Sequence, residues 1–200
     1  MRGIYKTIIT ISIIVLVFVG TYFIICLLWN TDTPFTVVQG TSMEPTLYEG
    51  DLLFVKKPRD LSEIQNGSHT ARTGDILIFH SPAQGILIVH RVIDKNYSNG
   101  KWYFNTQGDN DGTPDNLDLY GFGGDYLPED YIKGIMIGSI PWIGNIGIFL
   151  RDSGLAIFLI IIILAYLIIS TVFESKSEEP AKDSTDNKKV TEDSDDIKEN

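Results

Sequence analysis

The chain has one cysteine, Cys26, in 200 residues. It lies inside a long apolar run with no partner, so disulfides cannot hold any exported part of the fold together. Positive charge is also scarce. Against 26 acidic residues stand 16 basic ones, a net charge of −10 at pH 7, which excludes the basic surface that nucleic acid demands. No internal repeat is visible. Between residues 30 and 152 there is no long stretch of helical periodicity. No small-x-small cleavage site follows the first apolar run, so that run is expected to be a retained anchor rather than a cleaved leader.

Apolar residues, by contrast, are plentiful and concentrated. Ile8 to Leu28 is a charge-free run of 21 residues, which as a helix is about 30 Å long, the thickness of a bilayer core. A second charge-free block runs from Ser153 to Phe173 and is apolar on every face, as Ile160-Ile161-Ile162-Ile163 illustrates. Arg2 and Lys6 precede the first block and Asp32 is the first charge after it, which places the N-terminus in the cytoplasm. Two spans then return the C-terminus to the same side. The domains expected are a stub and anchor over 1–29, an extracytoplasmic β-rich domain over 30–152, a second transmembrane helix over 153–173 and a tail over 174–200. The tail has five basic and ten acidic residues and almost no apolar content, so it is expected to be disordered.

The middle segment is read as mainly β because its apolar runs are short, β-branched and bounded by turn residues. Candidate strands are 35–38, 51–55, 75–79, 86–93, 101–106 and 132–137. Asn99-Gly100 is a hairpin signal between the fourth and fifth of these. The stretch from Ile140 to Leu150 is very apolar but broken by Pro141, Gly144 and Gly147. Two placements are open for it, at the membrane surface through Trp142 or packed into the β core.

Three islands supply reactive side chains: Gly40-Thr41-Ser42-Met43-Glu44-Pro45-Thr46, Val89-His90-Arg91-Val92, and Gln107-Gly108-Asp109-Asn110-Asp111-Gly112-Thr113-Pro114-Asp115. A serine hydroxyl attacks a carbonyl only when a base takes its proton, and histidine titrates nearest neutrality. A carboxylate fixes the imidazole tautomer and stabilises the charged ring. Taken singly, each island has a plainer reading: Ser42 as a turn residue, His90 as a packed histidine between Ile88 and Val92, the acidic loop as a solvated turn. A calcium loop starting at Asp109 fails on spacing, since Thr113 and Pro114 stand where a third oxygen ligand and a bend glycine belong. No metal or other cofactor is expected.

Together the islands resemble the type I signal peptidases over nearly the whole chain before the tail. The matching motifs are Ser42-Met43-Glu44-Pro45-Thr46 behind an anchor, the Gly74-Asp75 strand, His90-Arg91-Val92, and Gly108-Asp109-Asn110 with a further aspartate at Asp115. A histidine before Arg-Val, where most bacterial members have lysine, is similar to the archaeal and endoplasmic-reticulum branch. The resemblance implies a signal-peptidase-like β-rich fold in which Ser42 is the nucleophile and His90 the general base. It makes Asp109 the first choice for the orienting carboxylate, with Asp115 matching the second aspartate of the loop, and gives Asp111 and Asp118 no role. Small side chains would be favoured one and three residues before the cut, in pockets for which Phe35, Val37 and Ile88 are candidate liners. The implied activity is removal of signal peptides from exported preproteins, and the implied partners are those preproteins, the lipid bilayer and the secretion translocon. A protease for a narrow set of precursors and a catalytically silent membrane subunit are the alternatives.

Overall fold

A computed structural model describes residues 2–153 and 155–176. The chain divides into two units, one of residues 14–159 and one of residues 1–13 with 160–200. The first contains an antiparallel sheet of seven strands. These are β1 (Phe35–Val37), β2 (Leu52–Lys56), β3 (Ile76–Ser81), β4 (Ile86–Ser98), β5 (Lys101–Gln107), β6 (Leu127–Pro128) and β7 (Ile132–Ile140), in the spatial order β1-β2-β7-β3-β4-β5-β6. All six strands expected from the sequence are present. β4 and β7 run further than the apolar pattern indicated, and the two-residue β6 is additional.

The continuous apolar run of β3 accounts for its place near the middle of the sheet. Ile76, Leu77, Ile78 and Phe79 are all buried, so both faces of this strand are covered. Leu77 and Phe79 join Ile64, Val92, Phe104, Leu117, Leu127 and Ile132 in one core. Ile76 and Ile78 join Val38, Met43, Leu47, Leu53 and Val55 in a second. Alternation along the strands therefore divides the apolar residues between two cores. β4 and β5 form a hairpin in which Ser98 pairs with Lys101, so the loop is only Asn99 and Gly100. Both have positive φ, +52° and +80°, the turn whose twist suits a tight hairpin.

Among the described residues there are also three α-helices, α1 (Arg2–Trp29), α2 (Gly144–Asp152) and α3 (Leu155–Lys176), and three short 3-10 turns. Within α1, Ile8–Trp29 is long and apolar enough to cross a membrane, and among the described residues it is the one segment that meets that test. Along α3 the described apolar side chains, among them Leu155, Ile157, Phe158, Ile160, Tyr166 and Ile169, are exposed. The expected tail beyond Lys176 lies outside the described residues. α2 was not anticipated: Pro141 and the glycines suggested a break, yet a nine-residue helix begins at Gly144, with Pro141 outside it and so unable to interrupt it. Its Ile146 and Phe149, with Trp142 and Ile143 ahead of it, are exposed. They do not enter the β core.

Candidate active site

Ser42 sits in a compact turn. Glu44 N donates to Thr41 O at 3.1 Å, and Thr46 N and Leu47 N both donate to Met43 O at 2.9 Å. Met43 and Leu47 are sunk almost completely into the second core, which fixes the turn from beneath and leaves Ser42 at the surface. The Glu44–Pro45 peptide in this turn is cis. His90 and Arg91 are consecutive on β4 and therefore point to opposite faces. Leu77 lies opposite His90 and Ile76 opposite Arg91.

The loop after β5 meets both. Asp115 Oδ2 lies 2.6 Å from His90 Nδ1, and His90 Nε2 lies 2.9 Å from Ser42 Oγ. Hydroxyl, imidazole and carboxylate thus form one hydrogen-bonded line. His90 is only 5% exposed, whereas Ser42 is half-buried at the wall of the site. Thr106 donates its hydroxyl to the same Asp115 oxygen at 2.6 Å. Asp115 N donates to Thr106 O at 2.9 Å, so the carboxylate is tied to the end of β5 by both backbone and side chain.

Asp109, expected first beside the imidazole, lies elsewhere. Its two oxygens receive Arg91 Nε and Nη2, each at 2.7 Å, and Thr46 Oγ1 donates to it as well. The Asp109 side chain has no exposed surface and that of Arg91 is 4% exposed. Burial raises the Asp109 carboxyl's affinity for a proton, but the hydrogen bonds from Arg91 and Thr46, aided by the guanidinium charge, more than offset it and hold its pKa below the usual range. Arg91 Nη1 also donates to Gly74 O at 2.8 Å. The fork geometry of Arg and carboxylate explains the choice: a guanidinium offers two parallel donors, an imidazole only one. Asn110 continues the clasp, with its backbone N–H donating to Ser42 O at 2.8 Å and its side-chain amide to Thr41 O at 3.2 Å.

A cleft of about 520 Å³ opens beside the serine. Its walls include Val37, Gln39, Ile88, Asp111, Tyr120 and Arg151. Of the three residues expected to line it, Val37 and Ile88 do so. Phe35 does not, because its ring packs edge-on against Trp29 and Phe54 at centroid distances of 5.9 and 5.8 Å. Tyr120 lies with its ring centroid 6.5 Å from that of His90. Burial, and then the charges of Asp115 and Asp111, push its phenol up to about 12. His90, Asp111 and Asp115 place one ligand atom each within 4.8 Å of one another. His90 Nδ1 and Asp115 are joined to each other, however, which leaves only Nε2 and the Asp111 carboxylate facing the cleft, too few for a metal site.

Residues 5–95 match the family described as "Signal peptidase, peptidase S26". The chain is 33% identical over 123 residues to the signal peptidase complex catalytic subunit sec11 of Sclerotinia sclerotiorum, covering 62% of this chain and 67% of the relative. It is 32% identical over 125 residues to the corresponding subunit of Candida albicans, covering 62% and 69%. With that of Dictyostelium discoideum it shares 30% over 143 residues, covering 71% and 74%. The chain belongs to the peptidase S26 signal peptidase family.

The family match includes Ser42 and His90 and ends before the acidic loop. Within this β-rich domain of a signal peptidase family member, sequence reasoning missed the contributions of Arg91, Thr46, Thr106 and Tyr120. Arg91 and Thr46 are inside the quoted motifs, and a buried partner for an invariably charged guanidinium was a signal available at that point. Thr106 and Tyr120 carried no such signal, since a threonine closing a strand and a tyrosine in a turn have many ordinary uses.

Proposed function

We propose that this signal peptidase family member is a membrane-bound serine endopeptidase that removes N-terminal signal peptides from exported preproteins, with Ser42 as nucleophile, His90 as general base and Asp115 as the orienting carboxylate. The observation that supports it is the unbroken line from Ser42 Oγ through the His90 ring to Asp115 Oδ2, with contacts of 2.9 and 2.6 Å. In this reading Asp109, the earlier first choice, serves as an anchor.

The chemistry follows from the tautomer. Asp115 accepts from Nδ1–H, so Nε2 carries the lone pair that takes the Ser42 proton as Oγ bonds to the scissile carbonyl carbon. The resulting imidazolium is stabilised by Asp115. It then protonates the departing nitrogen as the C–N bond breaks. Water, deprotonated by His90 in turn, hydrolyses the ester on Ser42. The Ser42 backbone N–H is a first donor to the oxyanion. No metal or cofactor takes part in this sequence of steps. Val37 and Ile88 leave a shallow apolar wall that suits small side chains near the cut.

The apolar segment Ile8–Trp29 supports anchoring in the membrane in which a leader peptide is held. Holding enzyme and substrate in one bilayer raises their effective concentration. The proposed topology has two spans, α1 and a second over 153–173, with 30–152 as an extracytoplasmic catalytic domain and both termini cytoplasmic. Exposed Trp142, Ile146 and Phe149 support a position for α2 at the lipid surface in this reading. The relatives are named as catalytic subunits of a signal peptidase complex. We extend to this chain an association with partner subunits and with the secretion translocon.

The test is incubation of the full-length protein in lipid or detergent with a labelled preprotein, alongside Ser42→Ala and His90→Ala. Wild type trims the leader, and each variant loses activity by about 10⁴-fold or more. Equal trimming by Ser42→Ala refutes the assignment.

A further inference from the structure

Asp111 is the third carboxylate of the acidic loop, and neither the base nor the anchor uses it. Its Oδ2 lies 3.9 Å from His90 Nε2, the nitrogen that meets Ser42 Oγ. Unlike Asp115 it faces the cleft, with its side chain 43% exposed against 4%. The position is built rather than incidental. Asp111 N donates to Gly108 O at 3.1 Å, and Gln107 Nε2 donates to Asp111 O at 2.8 Å. Gly108 supplies the room, since a Cβ there would lie 2.2 Å from Asp111 Oδ2.

That site coincides with where the leaving group must pass. In the protease reading, which this inference deepens, the scissile nitrogen takes its proton from Nε2 and so lies within hydrogen-bond length of it. A nitrogen about 2.9 Å from both Nε2 and Asp111 Oδ2 subtends roughly a right angle between them, within reach of an amine's tetrahedral directions. We propose that Asp111 binds the α-amino group released by cleavage, the new N-terminus of the mature protein. Its role is toward substrate, not toward His90.

The electron and proton balance is simple. As the C–N bond breaks, its electron pair stays on nitrogen and the proton from Nε2 completes a neutral amine. An α-amine has a pKa of about 7.7–8.0 and takes a further proton from water near neutrality. Beside the Asp111 carboxylate the resulting ammonium is favoured, and an ammonium has no lone pair with which to re-attack the Ser42 ester. Asp111 thereby commits the acyl-enzyme to hydrolysis.

The experiment compares two substrates of one sequence, a peptide and its depsipeptide in which an ester oxygen replaces the scissile N–H. The alcohol released from the second never becomes a cation. With full-length protein, Asp111→Asn and Asp111→Ala are expected to lower kcat/KM on the peptide roughly fivefold, the effect of a partly solvated ion pair, and on the depsipeptide less than about twofold. A mature-side peptide with a free α-amino group should inhibit wild type more strongly than Asp111→Asn, and its N-acetylated form should inhibit both alike. Equal losses on peptide and depsipeptide would mean that Asp111 acts on the imidazolium, and would overturn the proposal. So would no loss on either. If wild type cleaved neither substrate, the protease reading itself would fall, an outcome visible before any Asp111 variant is compared.

Discussion

Thr106 donates its hydroxyl to Asp115 at 2.6 Å, on the same carboxylate oxygen that faces His90 Nδ1. A carboxylate held by one flexible bond can rotate about its own axis; one that also receives a fixed threonine cannot. Thr106→Val keeps the shape and removes the donor. It is expected to lower kcat about tenfold with KM unchanged, measured on a peptide substrate.

Asp115→Asn should be far more damaging than its size suggests. An amide that accepts from Nδ1–H does so only through its oxygen, and the competing orientation turns a donor to the ring and forces the proton onto Nε2. That tautomer cannot take the Ser42 proton. A loss of about 10³–10⁴ in kcat is expected, with an unchanged melting temperature. A modest loss would remove Asp115 from the proposed role.

Asp109 predicts the opposite split. Asp109→Ala leaves the buried guanidinium of Arg91 without its partner, which costs about 3–5 kcal/mol of stability, read as a fall in melting temperature. The pH dependence has a definite sign. The folded carboxyl has its pKa lowered, so its contribution is fully present above the unfolded value near 3.9 and is lost as pH falls through the folded value. The stability gap between wild type and Asp109→Ala should therefore stay constant from pH 7 to about pH 5 and narrow below about pH 4.

Gly108→Ala tests how rigidly the serine turn is held. The added Cβ would come within 2.7 Å of Ser42 O, which is itself the acceptor for Asn110 N. The Asp111 side chain can swing away from the intruding carbon, but a backbone carbonyl cannot move without carrying Ser42 with it. Activity should fall by about 10²-fold while the protein stays folded, because displacements below an ångström suffice to spoil attack geometry.

Tyr120 offers a negative control on pH. With its phenol pushed up to about 12 by burial and by the Asp115 and Asp111 charges, it stays protonated over the working range of a protease. Tyr120→Phe should leave the shape of the pH–rate profile unaltered up to about pH 10. A shifted alkaline limb would show that the phenol titrates with the reaction.

Much of this site was legible in the residues. The apolar run at Ile76–Phe79 marked a strand, Asn99-Gly100 marked the hairpin between β4 and β5, and the order of Ser42, His90 and the acidic loop marked the chemistry. Choosing between Asp109 and Asp115 was beyond the sequence, because it depends on which face of β4 each loop end reaches. Arg91 decides that by capturing Asp109 with two parallel donors. The helix Gly144–Asp152 was hidden for a different reason: glycine and proline lower helix propensity, but nine residues starting at Gly144 leave Pro141 outside and avoid its steric cost.

Strand β4 presents the base on one side and the arginine clasp on the other, and a single loop grips both. Adding or deleting one residue between Ile86 and His90 would exchange the two, turning a cation toward the serine and a neutral ring toward the buried Asp109. Divergence in this part of the protein can therefore change side chains but not spacing, and an added residue is better absorbed at the Asn99-Gly100 bend than between Ile86 and His90.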